Sequence, residues 1–127
     1  MKPLAFLLIP ALLAACKGTE FIHKSQENGL EVAYRWNHPQ GKPSELLRRL
    51  KNTAESDRSV ALTIDLYYQG RTVESLEADT CVKAGQTLNG KLNGIFFIPE
   101  RLTTEQIKSG DAQVEVTRLS VQPTDCP

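Results

Sequence analysis

The chain has 127 residues and carries 15 basic and 15 acidic side chains, so its formal net charge is zero. This balance leaves no broad positive field and argues against a nucleic-acid partner. Hydrophobic residues make up 40% of the chain, which is enough to build a packed core and is not typical of a disordered protein. We therefore expect one ordered domain of ordinary size.

The first fifteen residues have the pattern of an export signal. A positive charge at Lys2 is followed by an apolar run over residues 4–13 and by small residues before Cys16. The run is too short to span a bilayer as a mature helix. The segment Leu-Ala-Ala-Cys at residues 13–16 resembles a bacterial lipobox. That resemblance implies that residues 1–15 are removed as a signal peptide and that Cys16 is acylated and anchors the mature protein to a membrane.

The residues after the anchor predict where the protein resides. Lys17, rather than an aspartate, follows Cys16. By the same resemblance this implies the outer membrane, most simply its periplasmic face, while exposure on the cell surface stays open. Residues 16–29 are mostly polar and predict a flexible tether, in which His23 is solvated. A β-rich domain over residues 30–127 follows.

A strand and a helix are predicted at the start of the domain. Residues 30–36 alternate between apolar and polar, which is the period of a half-buried strand, and residues 37–41 break it with Pro and Gly. His38 in this break is expected to be structural or incidental rather than catalytic. Residues 42–54 predict a helix with Ser44 as its N-cap and leucines on one side.

A basic cluster accompanies this predicted helix. It is open to two interpretations, a contact with anionic lipid headgroups or an acidic partner, and a solvated face above the leucines. Arg48 and Arg49 are therefore candidate partner-binding residues. The cluster consists of Lys42, Arg48, Arg49 and Lys51.

The clearest strand signal covers residues 60–68, where apolar and other residues alternate without interruption. Gln69-Gly70 predicts a tight turn, and residues 71–80 return as the partner strand. Tyr67 is a candidate for binding a partner, because it lies opposite the apolar parity of its strand. The acids of the return strand are interpreted as solvated rather than catalytic; they are Glu74, Glu77 and Asp79.

The last third of the chain predicts short elements. Asn-Gly pairs at residues 89–90 and 93–94 favour a strand reversal, and the apolar residues 95–98 favour a strand buried on both faces. Residues 102–110 predict a short helix with a capping box formed by Thr103 and Gln106.

A final strand is predicted over residues 113–121, with a bulge or twist near residues 117–118, where the apolar parity changes. Taken together, the elements predict a mostly β fold, either an antiparallel sandwich or a partly open barrel of about six to eight strands with one or two short helices.

Two cysteines remain once Cys16 is assigned to the lipid. Cys81 and Cys126 form an even pair in an oxidising compartment and predict a disulfide. The alternative is a redox pair or two metal thiolates, but there is no Cys-x-x-Cys spacing and no nearby His to support it.

No catalytic motif is present in the sequence. Neither His-Glu-x-x-His nor Gly-x-Ser-x-Gly occurs, no glycine-rich loop precedes a helix, and no metal-ligand set can be assembled. We therefore expect a protein that is not an enzyme and needs no cofactor or metal.

The predicted plan of lipobox, tether, small β-rich domain and one disulfide resembles that of pilotins, small lipoproteins that assist secretin rings in secretion systems. The resemblance lies in size and organisation, so no binding residues carry over. It implies a non-catalytic assembly factor that binds a protein client at the outer membrane. The alternative is an immunity lipoprotein, or an inhibitor that neutralises an effector or a lysozyme.

Overall fold

The computed structural model describes residues 20–127, which fold into two antiparallel sheets that share one core. In the first sheet, β3 lies between β2 on one side and the short strands β6 and β7 on the other, and β1 pairs with the outer edge of β2. Its strands are β1 (Ile22–Glu27), β2 (Leu30–Asn37), β3 (Glu45–Asn52), β6 (Thr87–Asn89) and β7 (Phe96–Phe97).

The second sheet has three long strands, with β4 (Asp57–Tyr68) between β5 (Arg71–Val82) and β8 (Ala112–Thr124). A short helix, α1 (Thr104–Lys108), precedes β8. The predicted mostly β fold is confirmed, and the two separate sheets correspond to the sandwich rather than to the barrel.

The core lies between the two sheets and consists of alternate residues of the long strands. Along β4, Leu62, Ile64 and Leu66 are at most 1% exposed, whereas the residues between them are only partly buried. Successive side chains of a strand point to opposite faces, which is the basis of the strand prediction for residues 60–68. That prediction is confirmed. The tight turn at Gln69-Gly70 is confirmed as well, since β5 begins directly after it.

A buried amide links the two sheets at one end of the core. Asn52 is 1% exposed, and its Nδ2 donates to the carbonyl oxygens of Val82 at 3.0 Å and Ser56 at 3.1 Å. Its Oδ1 accepts from the backbone N–H of Ala54 at 2.8 Å. Buried polar groups need such partners because an unpaired one costs free energy. Asn52 therefore holds the turn after β3 against the end of β5.

The helix predicted over residues 42–54 is wrong, because β3 occupies most of this segment. Leu46 and Leu50 lie on one side of a helix, but they also share one face of a strand. Leu47 directly follows Leu46, so the apolar residues do not alternate as they do in a half-buried strand, and this favoured the prediction of a helix. In the structure Leu47 lies on the outward side of β3 and is nevertheless only 4% exposed. Ser44 is not a helix cap either, since its hydroxyl binds two other side chains.

The tether predicted over residues 16–29 is wrong from Ile22 onwards, because β1 pairs with β2 there. Asn28 and Gly29, with φ of 48° and 81°, form the two-residue turn between these strands. A Cβ added to Gly29 would lie 2.9 Å from the Ala54 Cβ, so the position requires glycine on two grounds. The predicted signal peptide over residues 1–15 and Cys16 lie outside the described residues.

The strand reversal predicted at the Asn-Gly pairs is wrong, because β6 and β7 both run antiparallel to β3, one after the other. Residues 90–95, the 90–95 loop, interrupt this edge opposite Arg48. The Gly90 N–H donates to the Arg48 carbonyl at 2.7 Å, and the Arg48 N–H donates to the Ile95 carbonyl at 3.2 Å. The strand predicted as buried on both faces is also wrong, since β7 has two residues and Ile98 is 43% exposed.

The capping box predicted for the helix at residues 102–110 is confirmed. The Thr103 Oγ1 accepts from the Gln106 N–H at 3.1 Å, and the Gln106 Oε1 accepts from the Thr103 N–H at 2.8 Å. Leu102 and Ile107, each 7% exposed, bury the apolar side of this turn. Local signals were sufficient here because every contact of the cap lies within a few residues.

The irregularity predicted near residues 117–118 is confirmed as a bulge in β8. Thr63 pairs with Arg118, and the next residue, Ile64, pairs with Val116. Thr117 is therefore the extra residue, and it restores the inward direction of the apolar side chains on both sides of it.

The predicted disulfide is confirmed, since Cys81 of β5 is bonded to Cys126 beyond β8. These two strands flank β4, so the bond passes by the beginning of β4, where Asp57 lies. The Asp57 carboxylate accepts from the backbone N–H groups of Cys126 and Ala84, each at 2.9 Å. These bonds, that of Cys126 first, hold the pKa of Asp57 below its usual value.

We predict that removing the disulfide destabilises the domain. The bond joins residues 45 positions apart and so restricts the conformations of the unfolded chain. Replacing both cysteines by Ser restores this conformational entropy to the unfolded chain and should lower the free energy of unfolding by about 4 kcal/mol. Urea unfolding of the variant and of the oxidised protein measures the difference. The reduced natural protein is the matched control and should agree with the variant. Equal stability of the oxidised protein and the variant would contradict the prediction.

We predict that Asp57 makes stability depend on pH. Its pKa is lower in the folded than in the unfolded chain, so its stabilisation is present above the ordinary aspartate value of 3.8 and is lost as the pH falls through the folded value. Asp57→Asn should have a lower free energy of unfolding than the natural protein at pH 7, and this difference between the two proteins should become smaller below pH 4. Asp111→Asn, at an exposed loop position, is the control. If the difference in the free energy of unfolding did not change with pH, the charge of Asp57 would not be its cause.

Candidate functional site

Two arginines of the first sheet lie over one aromatic ring on its outward side. The guanidinium carbons of Arg35 on β2 and Arg49 on β3 are 5.4 Å and 5.1 Å from the centre of the Phe21 ring. A cation within about 6 Å of an aromatic face is attracted by the ring quadrupole. Phe21 comes directly before β1, so this contact also fixes where the chain enters the domain. We call the outward side of β2 and β3, together with Phe21 and the 90–95 loop, the arginine–aromatic face.

A buried carboxylate attaches the 90–95 loop to this face. Glu45 is 5% exposed and accepts from the Asn37 amide at 2.9 Å, while the Lys91 ammonium lies 2.9 Å from its other oxygen. Burial raises the pKa of Glu45, but the bonds from Asn37 and Lys91 outweigh it, so the pKa is lowered overall. The Lys91 ammonium also lies 5.4 Å from the centre of the Phe96 ring. The loop is thus held to β3 by charge as well as by its backbone.

A groove of about 310 Å³ lies between Phe21 and the loop. Leu92 stands at its rim and is 84% exposed, the most exposed of the large apolar side chains that the structure describes. Contact surfaces are marked by contiguous apolar area rather than by single side chains, and here Leu92 adjoins the apolar groove residues Phe21 and Leu47. The groove is lined by Phe21, Arg35, Asn37, Leu47, Asn89, Gly90, Lys91 and Leu92.

The outward sides of the two sheets carry opposite charges. Alternation along each strand assigns the residues, because those paired across strands share a face. The arginine–aromatic face carries four cations and two acids, Glu31 and Glu45; the cations are Arg35, Arg49, Lys51 and Lys91. On the outward side of the second sheet the acids are Asp65, Glu77 and Asp79, together with Glu115, whose carboxylate is paired with Lys24 of β1 at 3.4 Å; Arg118 is a cation there.

The structure separates the residues of the predicted basic cluster. Arg49 and Lys51 lie on the outward side of β3, whereas Arg48 lies on the inward side between two core leucines and is 6% exposed. Burial lowers the pKa of Arg48, and its Nε has no hydrogen-bond partner among the described residues. The prediction that Arg48 belongs to an exposed basic surface is therefore wrong. Lys42 lies in a separate loop, beside a cleft near α1.

Tyr67 lies on the outward side of β4, as its parity predicts, and is partly buried between its neighbours Thr72 on β5 and Gln113 on β8. β4 pairs with the inner edge of β5. The β5 strand is hydrogen-bonded to β4 alone, and among residues 20–127 no other strand pairs with its outer edge. Glu77 and Asp79 are exposed on this edge strand, as predicted for solvated acids. Glu74 differs, because its carboxylate accepts from the backbone N–H groups of Glu100 and Arg101.

His38 takes part in a hydrogen-bonded chain beside a cleft of about 580 Å³. Its Nδ1 lies 2.7 Å from the Ser44 Oγ, which lies 2.7 Å from the Thr104 Oγ1. A histidine beside a serine hydroxyl is the arrangement of nucleophilic hydrolases. Here Ser44 is only 3% exposed, and its hydroxyl contacts both His38 and Thr104. These hydrogen bonds therefore connect the loop before β3 to α1. Burial, and then Lys108, lowers the pKa of His38.

Phe21, Arg35 and Leu92 were not singled out by sequence patterns. Arg35 could have been found by the parity argument that selected Tyr67, because it alternates with the apolar residues of its strand. Phe21 lay within the predicted tether, and the exposure of Leu92 follows from a loop that no local signal predicted. Their association is a result of the tertiary structure.

Comparison of the chain with protein-family models, with curated proteins and with solved structures finds no match. In the part of the chain that the structure describes, no helix has the length and apolar character needed to cross a membrane. Nor do three or more His, Cys, Asp or Glu side chains within residues 20–127 come together as a group that could hold a metal ion.

Proposed function

We propose that this protein is an exported lipoprotein, attached to the outer membrane through Cys16, whose domain binds a protein client without catalysing a reaction. The lipobox-like segment at residues 13–16 supports the anchor. The observation that carries the binding role is the open edge of β5, a strand of twelve residues of which eleven pair with β4 and none pairs with another strand of residues 20–127. An extended segment of another protein can add itself to such an edge through backbone hydrogen bonds.

The side chains beside the edge indicate the chemistry of the client. Leu76 of β5 faces the core and is 7% exposed, while Glu77 and Asp79 are exposed on the outward side. A strand placed next to β5 would set its own alternate residues beside these, and opposite charges across neighbouring strands are favourable. The client segment should therefore alternate basic and apolar residues. Tyr67 lies on β4, one strand further from that segment, so its ring would reach the segment only over the outward side of Thr72 on β5.

The proposed role is that of an assembly factor for an outer-membrane component, similar to the pilotins in overall plan. A protein that neutralises an effector or a lysozyme would use the same anchor and a binding surface of the same kind. The two differ in the identity of the client, which the experiment on the β5 edge reveals.

We predict that Cys16 is the lipid anchor. Cys16→Ser should abolish labelling by a radioactive fatty acid and release the protein from the membrane fraction, because acyl chains on this sulfur and amine supply the attachment. Lys17→Asp is the matched control: this variant should still be labelled by the fatty acid, but it should be found in the inner membrane. Unchanged labelling and membrane partitioning of Cys16→Ser would show that the anchor lies elsewhere.

We predict that the outward acids of β5 select the client. Reversing Glu77 and Asp79 together to Lys should lower recovery of a cross-linked client from detergent-solubilised envelope by about fivefold, because two cross-strand charge pairs become repulsive. Tyr67→Ala should also weaken recovery. Glu105→Lys, on exposed α1, is the matched control and should recover the client as the natural protein does.

Mass spectrometry of the cross-linked product identifies the client. A secretion-system or other outer-membrane component supports the assembly role, and an effector or lysozyme replaces it with the neutralising role. Recovery unaffected by the Glu77 and Asp79 reversal would exclude the β5 edge. Turnover of a cell-wall or lipid substrate by the purified protein would contradict a non-catalytic function.

A further inference from the structure

The arginine–aromatic face lies next to the point where the chain leaves the domain. Phe21 belongs to this face, and it follows Cys16 by five residues. Five residues span at most about 18 Å even when fully extended. If Cys16 carries acyl chains, as proposed above, this face cannot move far from the lipid surface.

Three cations of the face form no ion pair among residues 20–127, and two of them are the arginines over Phe21. Lys91 is paired with Glu45, and the third cation without an ion pair is Lys51, which lies opposite Glu31 in the register of β2 and β3. Within residues 20–127, neither Arg35 nor Arg49 forms an ion pair, and both are held over the Phe21 ring. A guanidinium that is held near an aromatic ring and forms no ion pair keeps N–H groups with which it can bind phosphate oxygens.

An apolar side chain accompanies these cations. Leu92 is 84% exposed on the 90–95 loop, beside the groove that contains Phe21 and Arg35. Basic residues together with a protruding leucine are the combination that binds the interface of an anionic bilayer, the cations at the headgroups and the leucine at the acyl boundary. The outward side of the second sheet carries mostly acids and would be repelled by the same surface.

We infer that the arginine–aromatic face docks on anionic lipid headgroups of the membrane that holds the anchor, with Arg35 and Arg49 contacting phosphates and Leu92 entering the interface. This orientation turns the second sheet away from the lipid and leaves the β5 edge free for a client. The inference rests on the proposed lipid anchor. It adds a second, electrostatic contact that sets the orientation of the domain.

Fluorescence quenching by brominated lipids tests the orientation. The full-length lipidated protein is reconstituted into vesicles of phosphatidylglycerol and phosphatidylethanolamine with bromine on the acyl chains. Leu92→Trp reports on the proposed contact, and Glu77→Trp, on the opposite side of the domain, is the matched control. The natural protein, whose one tryptophan is Trp36, supplies the baseline. We expect quenching at position 92 and none at position 77.

Charge variants in the Leu92→Trp background separate electrostatic docking from mere proximity. Each cation near an anionic surface contributes about a fivefold preference, so Arg35→Gln with Arg49→Gln should lower the ratio of docked to undocked protein by about 25-fold. Arg35→Lys with Arg49→Lys keeps both charges and should retain most of the quenching, even though the stacking on Phe21 changes. Vesicles of neutral phosphatidylcholine, or 1 M salt, should reproduce the loss, since high salt screens surface charges.

The outcomes distinguish this inference from the proposed anchor. Fatty-acid labelling without quenching at position 92, or with equal quenching at positions 92 and 77, overturns the docking and leaves the anchor. Quenching at position 92 without fatty-acid labelling supports the docking and overturns the anchor. If neither quenching nor labelling is observed, both the docking and the anchor are overturned. Cross-linking of position 92 to a protein client in cells, with no quenching in vesicles, would assign the face to that protein instead.

Discussion

The apolar core between the two sheets, to which the inward sides of β3 and β4 contribute, is the constraint on which the rest of the structure depends. Leu50 of β3 and Leu62 and Ile64 of β4 are at most 1% exposed and belong to one core cluster. Fully burying such a side chain stabilises a fold by about 1.5–3 kcal/mol. Each of these strands lies inside its sheet with neighbours on both sides, so the core that both strands share also positions the strands paired with them.

The same alternation that builds the core also creates two unlike surfaces. Leu66 is buried on β4 while its neighbour Tyr67 turns outward, and on β3 Leu50 is buried while Arg49 turns outward. The two sheets direct these outward residues to opposite sides of the sandwich, one basic and aromatic, the other acidic with an open edge. The proposed lipid contact and the proposed client contact therefore use opposite sides and do not compete for the same area.

Arg48 stabilises the 90–95 loop through its backbone, whereas its buried charged side chain destabilises the core. Its backbone N–H and C=O bind the two ends of the 90–95 loop, so the edge of the sheet is continuous there in spite of the insertion. Its side chain meanwhile lies among core leucines, and its Nε lacks an acceptor within residues 20–127. A buried guanidinium without a carboxylate costs free energy. The apolar core that contains the leucines of β3 must offset that cost, and it thereby keeps β3 in place to support the loop that presents Leu92.

The sequence by itself determined the mostly β class, the strand and turn around residues 60–70, the capped helix and the pairing of Cys81 with Cys126. Each of these depends on local periodicity, on a cap that spans three residues or on the small number of cysteines available. Only the tertiary structure decided that residues 45–52 form a strand. The leucine spacing there fits a helix as well as a sheet, and pairing with β2 on one side and β6 and β7 on the other selects the strand. The arginine–aromatic face was likewise decided by the tertiary structure, because its residues come from segments far apart in the chain and meet only when β1, β2 and β3 align.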